Sequence, residues 1–245
     1  MIHEVVSTDS RTGRKRRARR QNILDAAMAL VTEGGLDGLT VGHLARALDY
    51  TPGALYRYFD SKEAIVVELQ RSAIARIDGE LGRVLADLAE GATAKSQVDR
   101  ALERLCAAAR FYAALPLRLP HELHLLQATI ADPRHLVGDA LAASVFPSVR
   151  GILERMNAEF EAAARCGALA RGRAAQRTLV FWSSLQGIVQ LGKLGRFDAK
   201  LFDVSSLGSE LVRALLLGWG ADAGALDRAL AHRAGAAPAA RSGGG

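Results

Sequence analysis

The sequence predicts an all-α protein, and three observations lead there. Apolar residues recur at helical spacing almost throughout, as in Ile23, Ala27, Leu30 and Val31. No sustained alternation of Val, Ile and Thr marks a strand. Breaks at Gly34-Gly35, Asp49 to Pro52, Pro116 to Pro120, Asp132-Pro133, Pro147, Gly167 to Gly172 and Gly195 to Asp203 cut the chain into helix-sized pieces. With 245 residues, 49% apolar and 24% charged, the chain can bury a core of its own.

The elements follow in order. Residues 1–16 read as a disordered basic arm: Arg11, Arg14, Lys15, Arg16, Arg17, Arg19 and Arg20 lie in a stretch without an acid. These seven cations exceed the whole chain's net charge of +6, so the remainder is close to neutral and the arm faces an anionic partner. Helix one is expected from about Arg17 to Thr32. Thr40 then caps a short helix over residues 41–48, and Asp49 to Pro52 form a tight connection. In it Thr51 is the next N-cap and Pro52 takes the first helical position, where its missing N–H costs nothing. A short helix, Pro52 to Phe59, follows, and Asp60 is expected to cap a long one beginning at Ser61.

Leu44, Ala45 and Leu48 on one short helix and Leu55 and Phe59 on the next are spaced to close a small core with Ile23, Leu24 and Ala27. Left outward are Gly53, Ala54, Tyr56, Arg57 and Tyr58. A solvated helix face would carry Glu and Lys; small residues, phenols and one arginine suit close approach to a groove lined by phosphates. Two short helices joined by a capped tight turn form a helix-turn-helix pattern.

Leu39-Thr40-Val41 with Leu44-Ala45, then Thr51 to Phe59 and Lys62-Glu63, resemble the amino-terminal signature of the TetR family of bacterial transcriptional regulators. The resemblance covers roughly residues 17–70. It implies a three-helix helix-turn-helix DNA-binding domain at 17–65 and a helical effector-binding and dimerisation domain at 66–233; residues 234–245, rich in Ala, Gly, Pro and Ser, read by composition as a disordered tail. It also implies double-stranded operator DNA as partner. Thr40, Tyr56, Tyr58 and Lys62 would hold phosphates, and Thr51, Pro52, Gly53, Ala54 and Arg57 would face base edges. Asp49 stands where the family has a turn glycine, a position that Asp tolerates. Tyr50 replaces a smaller apolar residue and is expected to pack its ring on the small core.

Between Thr178 and Gly192 no residue is charged, so that helix is apolar on every face and one side should meet a second copy. With the following helix, about Ser205 to Trp219, it supplies Phe181, Leu185, Ile188, Leu207, Leu211 and Leu215 as the expected interface of a two-fold homodimer, the arrangement the resemblance also implies. Candidates for an effector pocket are Phe111, Tyr112, His121, His124, Leu125 and Phe146, mostly apolar, so the expected effector is a hydrophobic or amphipathic small molecule.

Other chemistry finds little footing. Gly187 to Lys193 has the spacing of a phosphate loop, but Leu194 stands where a Ser or Thr would reach magnesium, and no strand precedes it. His121 and His124 are three apart rather than the four that a zinc-protease helix requires. Cys106 and Cys166 form no metal or disulfide pattern. The uncharged run is too short and polar to span a bilayer. A regulator rather than an enzyme is expected, without cofactor, metal or membrane partner, in the cytoplasm at the nucleoid, repressing until its ligand binds. Two rivals remain: the same fold without a small-molecule effector, and a helical enzyme or carrier keeping a vestigial DNA-binding domain.

Overall fold

The computed structural model describes residues 11–90, 96–131 and 143–232. Among these residues all regular structure is helical. Residues 1–10 and the tail assigned to 234–245 lie outside the described residues. The chain divides into two compact units: described residues 11–75, 120–131 and 143–147 form the first, and 76–90, 96–119 and 148–232 the second.

The first unit opens with α1 (Arg11–Gly38), which turns sharply at Gly35, where φ is 65° and ψ −169°. This corrects the sequence reading of residues 11–16 as a disordered arm, because the helix starts at Arg11. Arg and Lys are good helix formers, and extending an existing helix adds one bond per residue without a new nucleus. α2 (Val41–Ala47) is capped by Thr40, whose hydroxyl accepts from the His43 N–H at 3.1 Å. α3 (Pro52–Tyr56) is capped by Thr51 through the Ala54 N–H at 3.3 Å, and ends at Arg57, shorter than expected. α4 (Lys62–Glu90) follows. Its cap is Ser61, not Asp60: the Ser61 hydroxyl accepts from the Ala64 N–H at 3.1 Å. Such caps each contribute about 1 kcal/mol. Between α2 and α3, Asp49 has a φ of 55°, the left-handed turn its side chain tolerates.

Ile23, Ala27 and Val31 from α1 meet Leu44 from α2, Leu55 from α3 and Phe59 from the turn after it, all buried, with Tyr50 packed against them. α6 (Pro120–Ala131) adds Leu125, fully buried in the same core. Placing α6 here is a departure from the sequence reading, which assigns it to the effector domain. Thr32 donates its hydroxyl proton to the Met28 carbonyl at 2.9 Å, so the 3.0 Å contact between its oxygen and His121 Nδ1 is a bond donated by the imidazole.

The second unit is built from α4 from residue 76 on, α5 (Gln97–Arg118), α7 (Phe146–Arg165) from residue 148 on, α8 (Ala174–Leu191), α9 (Val204–Gly218) and α10 (Ala223–Ala231), with a 3₁₀ turn at Gly192–Arg196. α8 extends four residues before the predicted start at Thr178, and α9 is capped by Asp203 through the Ser206 N–H at 2.9 Å. Phe160 of α7 sits at the centre of the core, edge-to-face with both Phe181 and Trp219 at 5.5 Å. Leu102, Leu105 and Cys106 of α5, Leu216 of α9 and Leu226 of α10 close around it. Gly220 at φ 92° lies in a turn where an added Cβ would stand 3.1 Å from the Ala170 Cβ, so both the angle and the space require glycine. Arg104 binds both carboxylate oxygens of Glu159 at 2.6 Å and the Leu85 carbonyl at 2.6 Å, tying α4, α5 and α7 together within this unit.

Burial pushes the Cys106 thiol up to about 12, so almost no thiolate forms near neutrality. Alkylation of the native protein with iodoacetamide at pH 8 is therefore expected to label the half-buried Cys166 and to spare Cys106 until denaturant is added. Peptide mapping checks this; stoichiometric native labelling at Cys106 would contradict the packing.

Candidate nucleic-acid interface

The face left open by the first unit is the one the sequence assigns to nucleic acid. Thr40, Thr51, Pro52, Gly53, Tyr56 and Arg57 are exposed, with Tyr56 at 51%, while Ala54, Tyr58 and Lys62 are half-buried. Thr40 and Thr51 each direct their hydroxyl at a helix N-terminus, so their side chains sit beside the free N–H groups of α2 and α3, a favourable place for an anion. A Cβ built at Gly53 meets nothing within 4 Å, leaving the first turn of α3 clear for close approach.

Two residues are more engaged than the sequence suggests. The Lys62 ammonium donates to the Leu36 carbonyl at 2.9 Å, closing the segment that follows the Gly35 turn. Tyr58 has its hydroxyl 3.5 Å from Arg19 Nη1, which donates to it. That bond is the first cause of the upward shift of the Arg19 guanidinium. Arg11, Arg14, Lys15, Arg16 and Arg17 are exposed along the start of α1, presented on a helix rather than on a loose arm.

The effector candidates are placed as follows. Phe111 is buried in the second unit with the Arg118 guanidinium 5.4 Å from its ring centroid. Tyr112, also in the second unit, donates its hydroxyl to Gln186 Oε1, and burial pushes the phenol up to about 12, keeping it neutral. His121, His124 and Leu125 belong to the first unit; His121 is engaged by Thr32, His124 is exposed, and Leu125 is core. Phe146, at the start of α7, is 59% exposed. Sequence reasoning missed Gln186 and Asn157, whose amide atoms Nε2 and Oδ1 are buried without a hydrogen-bond partner, as is the Thr178 hydroxyl. Their sequence signal is only that polar residues interrupt otherwise apolar helix faces.

Of the dimer candidates, Phe181 and Leu185 are buried in the chain's own core. Ile188, Leu207, Leu211 and Leu215 are half-buried. The apolar side chains that α8 exposes are instead Leu179 at 48%, Val180 at 45%, Trp182 at 37% and Leu191 at 44%. The helical period explains the shift: the stripe of Thr178, Phe181, Leu185 and Val189 faces inward, and the next residues around the helix face out.

The first unit is thus a helix-turn-helix domain, with two short capped helices held on a long first helix. Residues 23–69 match the family model for bacterial regulatory proteins of the tetR family. Over that segment the chain is similar to the amino-terminal domain of tetR-family regulators. Among curated relatives it is 34% identical over 84 residues to the HTH-type transcriptional repressor KstR of Mycolicibacterium smegmatis, a segment spanning 34% of this chain and 41% of that repressor. The chain therefore matches less than half the length of that relative. Two solved structures share the fold. One, of a protein with unknown function from Rhodococcus sp. RHA1, has a TM-score of 0.64 at 22% identity, covering 83% of this chain and 95% of that one. The other, AibR in complex with isovaleryl coenzyme A and operator DNA, has a TM-score of 0.58 at 19% identity, covering 81% and 98%. No described helix is long and apolar enough to cross a membrane.

Proposed function

We propose that this chain is a dimeric transcriptional repressor that binds operator DNA through residues 17–65 and is released by a small hydrophobic or amphipathic ligand bound within residues 66–233. The observation that carries the reading is the exposed face of α3: threonine-capped, open at Gly53, and bearing Tyr56 and Arg57 outward. Pro52 and Ala54 would pack on thymine methyls, Arg57 would address guanine, and Thr40, Tyr56, Tyr58 and Lys62 would hold phosphates. The exposed cations of α1 would add contacts to the DNA backbone. The named relative KstR is a repressor, and AibR was solved with both isovaleryl coenzyme A and operator DNA, which supports the ligand-responsive part.

The orphaned polar atoms of Gln186, Asn157 and Thr178 also favour a ligand, since a buried polar group without a partner is costly and a ligand oxygen or hydroxyl would satisfy it. Tyr112 is neutral, and Gln186 and Tyr112 have no charged residue one turn away on their own helices, which suits an uncharged polar end. The exposed apolar face of α8 would meet a second copy.

The test is titration of wild type and variants with an operator selected from a random duplex pool and with a scrambled duplex, at several salt concentrations. Arg57→Ala is expected to cost ~1–3 kcal/mol on the selected operator, relax one position per half-site and leave scrambled-duplex binding nearly unchanged. Replacing Arg11, Arg14, Lys15 and Arg16 by Gln keeps a helix-forming residue at each position. It should weaken binding to both duplexes and reduce the salt slope by about 0.9 for each phosphate no longer neutralised. An unchanged slope would return these residues to a solvated helix face; undiminished discrimination in Arg57→Ala would remove that residue from readout.

A further inference from the structure

Arg20 ends the basic run and behaves unlike its neighbours. It is half-buried, whereas Arg14, Lys15, Arg16, Arg17 and Arg19 are exposed. Its Nη1 donates to the Tyr58 carbonyl at 3.0 Å, its guanidinium stacks 4.2 Å from the centroid of Phe59, and its Nη2 lies 3.5 Å from Glu68 Oε2. The same carboxylate oxygen lies 3.6 Å from Arg71 Nη1. Arg71 in turn donates from Nε and Nη2 to the Ser144 carbonyl at 3.1 and 2.8 Å.

These contacts converge where α3 is weakest. A five-residue helix cannot hold its own orientation, and its C-terminal exit at Tyr58-Phe59 lacks a glycine cap. Leu55 and Phe59 anchor its inner side in the core. The rotation of its outer side, which carries Tyr56 and Arg57, depends on where the Tyr58 backbone is fixed. A planar guanidinium suits that task, because one face covers an aromatic ring while its edge donates to a carbonyl and a carboxylate. The charge of Arg20 is thereby compensated within the protein.

Building on the DNA-binding reading, we propose that Arg20 is a positioning residue for α3, seated by Glu68, and not a phosphate ligand. Glu68 is the shared seat, and through Arg71 it ties the recognition helix to residue 144, two residues before α7. The pair thus sets how sharply the protein discriminates its operator, while the arginines before it set how tightly it holds any duplex.

The experiment uses full-length Arg20→Met, Arg20→Lys and Glu68→Gln with the selected operator and the scrambled duplex described above. Expected are a tenfold or larger loss of operator affinity in Arg20→Met, a smaller loss in Glu68→Gln, and no change on the scrambled duplex. The salt slope should stay at the wild-type value in all three. Arg20→Lys keeps the charge but loses the stack and the fork, so it should fail to rescue discrimination. A slope reduced by about 0.9 in Arg20→Met would make Arg20 a phosphate ligand and overturn the assignment. So would an unchanged operator-to-scrambled ratio in both Arg20→Lys and Glu68→Gln, the two variants that decide should Arg20→Met unfold. Amide exchange at Tyr58 and Phe59 is read in parallel without DNA and should accelerate at least tenfold in Glu68→Gln. Unchanged exchange there overturns the seating role. If wild type selects no operator but exchange accelerates, the clamp stands and the DNA-binding reading falls.

Discussion

Val180→Arg is expected to leave the subunit folded and, on the dimeric reading, to abolish self-association. Val180 is 45% exposed in the isolated chain, beside Leu179 and on the same helix as Trp182 and Leu191, so an arginine there has room and water in a monomer. In an apolar interface the same arginine is buried without a partner, which costs several kcal/mol, and two-fold symmetry imposes that cost twice. A dimer of ordinary affinity cannot absorb it. Sedimentation at micromolar concentration should show a dimer for wild type and a monomer for the variant, with the thermal midpoint of the monomeric variant checked separately. A dimeric Val180→Arg protein would move the interface elsewhere, and a monomeric wild type would remove the dimer.

Phe160→Ala is expected to be the most damaging core substitution in the second unit, at about 3–5 kcal/mol. The ring is 1% exposed and holds edge-to-face contacts with both Phe181 and Trp219, so truncation removes dispersion contacts on two sides and opens a void that three different helices or turns must collapse to fill. Denaturant unfolding followed by tryptophan fluorescence should show a lowered midpoint with little change in slope. Because Trp219 packs directly on Phe160, the native emission should change as well. A loss below about 1 kcal/mol would show that the unit repacks freely around this position.

How far the sequence can be read depends on the range of the signal. The helix-turn-helix is legible because its cues are local: Thr40 and Thr51 as caps, Pro52 in the first turn, and Asp49 in a left-handed turn each act within four residues. The spacing of Leu44, Leu55 and Phe59 then needs only one neighbouring helix to make a core. What fails to show is non-local. Nothing around Pro120 signals that Leu125 is buried against α1, since an apolar stripe declares that it is covered but not by what. For the same reason Phe181 and Leu185 read as partner-facing in the sequence although they are turned inward. An uncharged helix has no polar face to fix its rotation. Arg20 merges with the arm in the sequence because composition counts charges and cannot see that one of them is already matched by Glu68.

The helical state of residues 11–20 limits what that segment can touch. An extended arm of arginines can thread the minor groove, roughly 6 Å wide, and sense its width, but a helix with side chains is about 10–12 Å across and does not fit. Arg11 and Arg20 are nine positions apart on α1, a rise of about 14 Å at 1.5 Å per residue, so its cations are spaced along a rigid rod. Arg11, Lys15 and Arg19 fall on one side of that rod at four-residue intervals. A rod of this kind can lie along a phosphate strand but has no access to base edges in the narrow groove. Mutations that lengthen or shorten it by one residue rotate the charged stripe by about 100°. Its contribution is therefore sensitive to helical phase in a way that a flexible tail's would not be.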